Sequence, residues 1–365
     1  MIIVGGGVFG CLIALYLRKY LPKLVFSIVD PHDHLMSHWM HRTSICGMTH
    51  LRSPVSHSIS PDFSAMLTYA KRNGYPKSTF QQPYWRPSLS LFNTFSQHLI
   101  ETHALEKAHI QEAVVEIKKE KHEWVLRTNT GELKSPRIIL ALGRPIKPPA
   151  FGISAFDPQF SPSSYTRSKE LFLFGAGMTG VQLATSLVKM GNKVNLISRH
   201  PLYLRQFDSN PCYIGPKCGR TFHQTLNIQE RQTIITTARY PGSITPDVHA
   251  ELNAIKEKYP EKLAIHTGKE STRYYLDLAQ NMPSKRVIFA TGFGRFSAKD
   301  SLLVSIGENT NSTIAPNGTP IPNSSSEWVD GLFLTGSLAE LSIGPAAQNI
   351  IGAHIAARKI ISALM

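Results

Sequence analysis

The chain has no uninterrupted apolar run approaching the roughly 18 residues that a membrane-spanning helix requires. Gly, Pro or a charged side chain breaks each of the longer ones. A helical membrane span is thereby excluded. Because Met1 to Val4 lead directly into glycines, the start reads as folded protein and not as a cleaved leader. Cysteine is scarce as well: Cys11, Cys46, Cys212 and Cys218 are the only four in 365 residues. None forms a C-x-x-C pair, and so few thiols exclude a disulfide scaffold and point to a reduced, cytoplasmic setting. Acidic residues are outnumbered, 25 Asp and Glu against 39 Lys and Arg, for a formal charge of +14. No run of five or more basic residues exists, so the excess does not form a nucleic-acid stripe. A phosphate-bearing cofactor or an acidic small-molecule substrate absorbs part of it.

What the chain does contain is a duplicated glycine cradle. "MIIVGGGVFGCLIALYLRKYLPKLVFSIVDP" reads as a strand over Met1–Val4, a turn Gly5-x-Gly7-x-x-Gly10, a helix over Cys11–Lys19 and a second strand "KLVFSIVD" ending on Asp30. In this arrangement the first glycine makes the tight turn, the second lets backbone approach a pyrophosphate, and the third lets helix pack on strand. The pyrophosphate then sits at a helix N-terminus, where free N–H groups and the helix dipole favour an anion. A carboxylate at the end of the second strand accepts the hydroxyls of an unphosphorylated ribose. FAD therefore suits this cradle.

The plan recurs in "LFLFGAGMTGVQLATSLVKMGNKVNLISRHP": a strand, glycines Gly175, Gly177 and Gly180, a helix to Met190 and a strand over Lys193–Ser198. Here the strand ends in Ser198-Arg199-His200, with no carboxylate to bind a ribose or repel a 2′-phosphate. The Arg199 guanidinium offers a fork of donors to that phosphate, so the second cradle is assigned to NADPH. Two such cofactors in one chain imply hydride passing between them.

Two further apolar strands end on glycine, at Ala141-Leu142-Gly143 and at Ala290-Thr291-Gly292. Between the first unit and Gly143, "AVVEIKKE" and "EWVLRTNTGELKS" alternate apolar and polar residues about Asn129-Thr130-Gly131, the pattern of a small antiparallel meander. Near the end, "WVDGLFLTGSLAELSIGPAAQN" reads as a strand to Thr335-Gly336 followed by a helix starting at Pro345, which is pre-set for a first helical position. That helix start would place Pro345, Ala346 and Ala347 by the flavin. The fold class expected is α/β, with two Rossmann-like dinucleotide-binding domains, the second inserted into the first. Residues 1–165 and 284–365 form the FAD domain in this reading, and 166–283 the NADPH domain.

With these residues in hand, the chain resembles the lysine and ornithine N-hydroxylase branch of flavin-dependent monooxygenases. The resemblance spans most of the chain. It is carried by the two glycine motifs, "SHWMHRTSICGMTHLRSPVSHSISP", "VIFATGF" and "GPAAQN". It implies that Trp39, Met48, Leu51, Arg52 and Pro54 line the flavin. It also implies that NADPH reduces FAD, that reduced flavin captures O2 as a C4a-hydroperoxide, and that one oxygen atom goes to an amine or other small nucleophile. Thr49 stands where those enzymes tend to have Gln, and their amine-binding Lys has no clear match. A site of this kind needs no side-chain nucleophile, and none is assigned.

Two other readings stay open. An NADPH-dependent reductase of a disulfide or quinone would want a redox cysteine by the flavin, and Cys46 is the candidate, although isolated cysteines are mostly inert and buried. A flavin-binding module without turnover is disfavoured by the complete second cradle. Cys212 and Cys218 share a Gly- and Pro-rich loop as a pair or metal site, with too few neighbouring ligands for metal. The histidines of "DPHDHLMSHWMH" and His50 suit hydrogen bonding beside the flavin better than metal ligation. Neither the substrate nor the oligomeric state is legible.

Overall fold

The structure, a computed structural model, describes residues 1–165, 170–294 and 301–365. The expected domain junction at 165/166 and the Arg295-Phe296 end of the second glycine-terminated strand segment reach outside these described residues.

Two sheets organise the chain. The first runs in the order Glu327–Val329, Leu332–Leu334, Ile138–Leu140, Ile2–Val4, Ser27–Asp30, His109–Gln111, and all its strands are parallel except the outermost, Glu327–Val329. Alternation along the strands sends Ile3, Ile28, Ile139 and Phe333 to one face and Ile2, Val4, Val29, Ile138 and Leu140 to the other. The Val8–Tyr20 and Ile350–Leu364 helices cover the first face, through Leu12, Leu15, Ala353 and Ala357. The expected meander, Val114–Glu120, Glu123–Thr128 and Glu132–Ser135, closes the second face with Ile117, Trp124 and Leu126. Three layers around one sheet result.

The second sheet is wholly parallel, in the order Ile153–Ser154, Val287–Phe289, Glu170–Phe174, Lys193–Ser198, Leu263–Thr267. Leu171, Leu173, Val194 and Leu196 face a core shared with the Met178–Lys189 and Pro246–Lys258 helices. Phe172, Phe174, Ile197 and Val287 face the Lys269–Gln280 helix. No described helix is long and apolar enough to cross a membrane.

Four expectations need adjustment. The first helix extends over Val8–Tyr20, a turn earlier than Cys11, because Gly7 serves as its N-cap. The strand before Asp30 is only Ser27–Asp30, and Val25 is left 82% exposed. Boundaries at 165 and 284 would cut the second sheet, since Ile153–Ser154 and Val287–Phe289 both pair within it. Finally, Pro345 does not begin a helix. Gly344 has φ 95, Ala347 N donates to Gly344 O and Asn349 N to Ala346 O, so these turns carry the chain to Asn349, which caps the helix at Ile350.

Candidate active site

Both cradles sit at the carboxyl edge of their sheets, where open α/β folds bind ligands. In the first, Gly5 has φ 108, and a Cβ there would lie against the Ala141 carbonyl. A Cβ on Gly10 would overlap Gly5 O, so this glycine is what lets the Val8–Tyr20 helix approach its strand. The Cβ position of Gly7, by contrast, meets nothing within 4 Å, which leaves its backbone open to an approaching group. The second cradle repeats the geometry. Gly175 has φ 108, with a Cβ position against Ala290 O, and a Cβ on Gly180 would overlap Gly175 O. There a Cβ on Gly177 would lie 3.3 Å from Gly242 Cα, in the Tyr240–Ser243 turn.

The two second-strand ends differ as the residues suggest. Asp30 accepts Gly6 N through Oδ2 at 2.6 Å, and through Oδ1 it takes His32 N at 3.0 Å and His32 Nδ1 at 2.6 Å. The carboxylate thus holds the glycine loop, and Oδ2 keeps a lone pair for a ribose hydroxyl. Arg199 is exposed and has no ion-pair partner among the described residues. Gly268 N donates to Ser198 O at 2.9 Å and seats the next loop beside it.

The Ser37–Ile45 helix, which follows Asp30, borders the first cradle. Trp39 donates its indole N–H to Asn93 Oδ1 at 2.9 Å and packs on Phe92, while Met48 lies against the same core. Burial pushes His38 down to about 4, with the Arg42 charge adding to the effect, so its ring is neutral at pH 7. Arg42 lies over Phe293, 4.6 Å from the ring centroid, and burial lowers its guanidinium to about 10. Buried polar atoms without a hydrogen-bond partner include His41 Nε2, Arg42 Nε and Thr335 Oγ1. Thr335 and Gly336 end the strand next to Gly143, whose carbonyl accepts Ser337 Oγ at 2.9 Å. Open glycine backbone together with orphaned donors and hydroxyls fits an oxygen-rich group such as the pyrophosphate and ribityl chain of a flavin dinucleotide. Ala346 and Ala347 are 1% exposed and lie in packing, and the Pro345 carbonyl accepts Arg239 Nη1 at 2.8 Å.

Residues that fasten one cradle to the other were not legible in the sequence as such. Arg52, expected beside the flavin, sends its guanidinium across to the second unit. Nε donates to Gln206 O at 2.8 Å, Nη2 to Arg205 O at 2.7 Å and Ser243 Oγ at 2.9 Å, and Nη1 to Ser243 O at 3.2 Å. Arg86, 1% exposed, lies 2.9 Å from Asp247 in the first turn of the Pro246–Lys258 helix. The approach is Coulombic and not a well-aligned hydrogen bond, since Arg86 Nη2 and Asp247 Oδ1 both lack one. Asp208 accepts from Arg239 at 2.9 Å and from Asn349, the cap of the last helix, at 3.0 Å. Arg144, next to Gly143, donates to Phe293 O, Gly294 O and Gln348 Oε1, and so joins the returning strands of both sheets. No local spacing in the sequence announces the distant partner of any of them.

The cysteines fall into two kinds. Cys212 and Cys218 form a disulfide between the Pro211–Ile214 turn and the Pro216–Gln224 helix. Cys11 and Cys46 are free and buried, and burial raises both thiols, Cys46 to about 11. No group of His, Cys, Asp and Glu among the described residues is arranged to hold a metal.

Residues 1–212 match the family described as pyridine nucleotide-disulphide oxidoreductase. No curated protein matches the sequence. Among solved structures the chain is similar to the ornithine N-hydroxylase KtzI of Kutzneria sp. 744, solved with reduced FAD, NADP+ and L-ornithine. The TM-score is 0.77 at 12% identity, covering 100% of this chain and 98% of that one. DfoA, the FAD-bound cadaverine monooxygenase of Erwinia amylovora, gives 0.74 at 13%, covering 99% and 94%. The bacillithiol disulfide reductase Bdr of Bacillus cereus gives 0.60 at 14%, covering 100% and 97%. At such identities the likeness is one of fold.

Proposed function

The chain belongs to the pyridine nucleotide-disulphide oxidoreductase family, and from that premise we propose that it is an FAD- and NADPH-dependent monooxygenase acting on an amine or other small nucleophile. One observation carries the reading: two cradles of the same geometry end differently, in Asp30 and in Ser198-Arg199, and Arg52 and the Arg86–Asp247 pair lock them together.

The Gly5–Gly7 backbone and the open end of the Val8–Tyr20 helix receive the FAD pyrophosphate. His41, Arg42, Thr335 and Gly336 border the rest of that cofactor, and Gly143 lines its strand edge. FAD, when bound, supplies two-electron chemistry and activation of O2. Gly175, Gly177, Gly180 and Arg199 bind NADPH. The clamps keep the two sites in one relative position, which hydride transfer needs because reacting atoms must approach to about 3–3.5 Å. His38 stays neutral at working pH and places no cation beside Asp30 and His32. In this reading the NADPH unit runs from Ile153–Ser154 through Val287–Phe289, and the FAD unit is drawn from the residues before and after it.

The alternative, an NADPH-dependent reductase, draws its support from the Cys212–Cys218 disulfide. It draws none from Cys46, whose buried, raised thiol is the wrong state for a nucleophile. The decisive experiment is stopped-flow absorbance: FAD-loaded protein is reduced anaerobically by NADPH and mixed with oxygenated buffer. An oxygenated-flavin band lasting seconds supports the oxygenase. Immediate single-step reoxidation, with electrons passing catalytically to a disulfide or quinone, overturns it.

A further inference from the structure

A cavity lies outside both cradles. It has a volume of about 430 Å³ and is lined by Pro54, Val55, Ser56, Leu67, Lys71, Tyr84 and Trp85. That size falls in the range of small-molecule pockets, roughly 300–1,000 Å³.

Three features make it a built site. Tyr84 and Trp85 are consecutive bulky residues in the left-handed region, with φ 73 and 51, a conformation that costs about 1–3 kcal/mol each and persists only where surrounding structure enforces it. The enforcement is visible: Val55 N donates to Trp85 O at 3.0 Å, Tyr84 packs on Phe207 at 5.0 Å, Trp85 on Phe80 at 5.5 Å, and Arg86, the next residue, is buried against Asp247. The two rings nevertheless remain 53% and 42% exposed, so the strain presents aromatic surface to the cavity instead of burying it. Across from them, Leu67 and Lys71 stand one helical turn apart on the Ala65–Arg72 helix and share a face. Lys71 is exposed and has no ion-pair partner among the described residues, and no carboxylate lines the cavity.

We propose that this cavity binds a small amphiphilic anion whose apolar, preferably aromatic, body lies against Tyr84, Trp85, Val55 and Leu67 and whose carboxylate pairs with Lys71. The assignment does not depend on the flavin reaction, because it concerns binding without NADPH.

The test is calorimetric titration of the FAD-loaded protein with naphthylacetate and with its neutral amide. Naphthylacetate binds about threefold more tightly than the amide, the scale an exposed ion pair supports, and Lys71→Ala removes that difference. Lys71→Glu reverses it, so that the cation naphthylmethylammonium becomes the better ligand. Trp85→Ala weakens acid and amide alike by about tenfold, as loss of an aromatic contact would. Trp85→Phe keeps most of the affinity, which separates loss of contact from misfolding. Equal binding of acid and amide to the wild type, a preference unmoved by Lys71→Glu, or no binding at millimolar ligand overturns the proposal, and each leaves the stopped-flow result untouched.

Discussion

Replacing Arg52 by Met keeps an unbranched apolar stem and removes every donor that this side chain sends to the second unit. The guanidinium makes four contacts, to the carbonyls of Arg205, Gln206 and Ser243 and to the Ser243 hydroxyl. A hydrogen bond to a charged group is worth about 1.5–3 kcal/mol, but four on one side chain do not add. Arg205 is exposed and its carbonyl regains water, whereas Ser243 is 2% exposed and its carbonyl is left without the partner it had. The Ser243 hydroxyl keeps its bond to Tyr240 O at 2.6 Å. The net loss is therefore about 2–4 kcal/mol, near the cost of one or two stranded buried acceptors. Urea unfolding of the FAD-loaded protein, followed by flavin fluorescence and circular dichroism, should show that loss for Arg52→Met. NADPH reduction of the flavin should slow while FAD affinity holds. Arg52→Lys should recover little, because a single ammonium cannot span three carbonyls. An unchanged unfolding midpoint together with weakened FAD binding would refute the clamp and return Arg52 to the flavin.

Arg199→Ala should raise the Kd for NADPH by about ten- to hundredfold, the range of one charge-assisted contact, and leave NADH nearly unmoved; parallel loss of both nucleotides in titrations would remove Arg199 from the phosphate. A pH effect should come from His354, which is fully buried and accepts Tyr16 O–H at Nδ1 (3.0 Å) while donating from Nε2 to Ser58 O (2.8 Å). Burial lowers it from 6.5 to about 4, so the unfolded chain takes up a proton first as pH falls below 6.5. Stability present above pH 6.5 is lost down to about pH 4, by about 3 kcal/mol for this residue. His38, His57 and His223, each pushed down to about 4, steepen the slope. His354→Gln should flatten it by one proton in denaturant titrations across that window, and an unaltered slope would rule the residue out.

Both cradles were readable because each is a contiguous strand, turn, helix and strand in which the glycines answer contacts made within some thirty residues: Gly10 to Gly5, Gly180 to Gly175. The meander was readable for the same reason, its alternation and turn being local. The return strand Val287–Phe289 was harder to place, since an apolar triplet followed by glycine suits either sheet. What decides is that Gly175 needs the Ala290 backbone at its back, a contact more than a hundred residues distant. Likewise Pro345 promised a helix, and the left-handed Gly344 turned the chain first. The distant partners of Arg52, Arg86, Asp208 and Asn349 carry no local signal. These same residues set how one cradle lies against the other. In the function we propose, strand-end chemistry at Asp30 and Arg199 selects which nucleotides enter, while the clamps set how one cradle lies against the other.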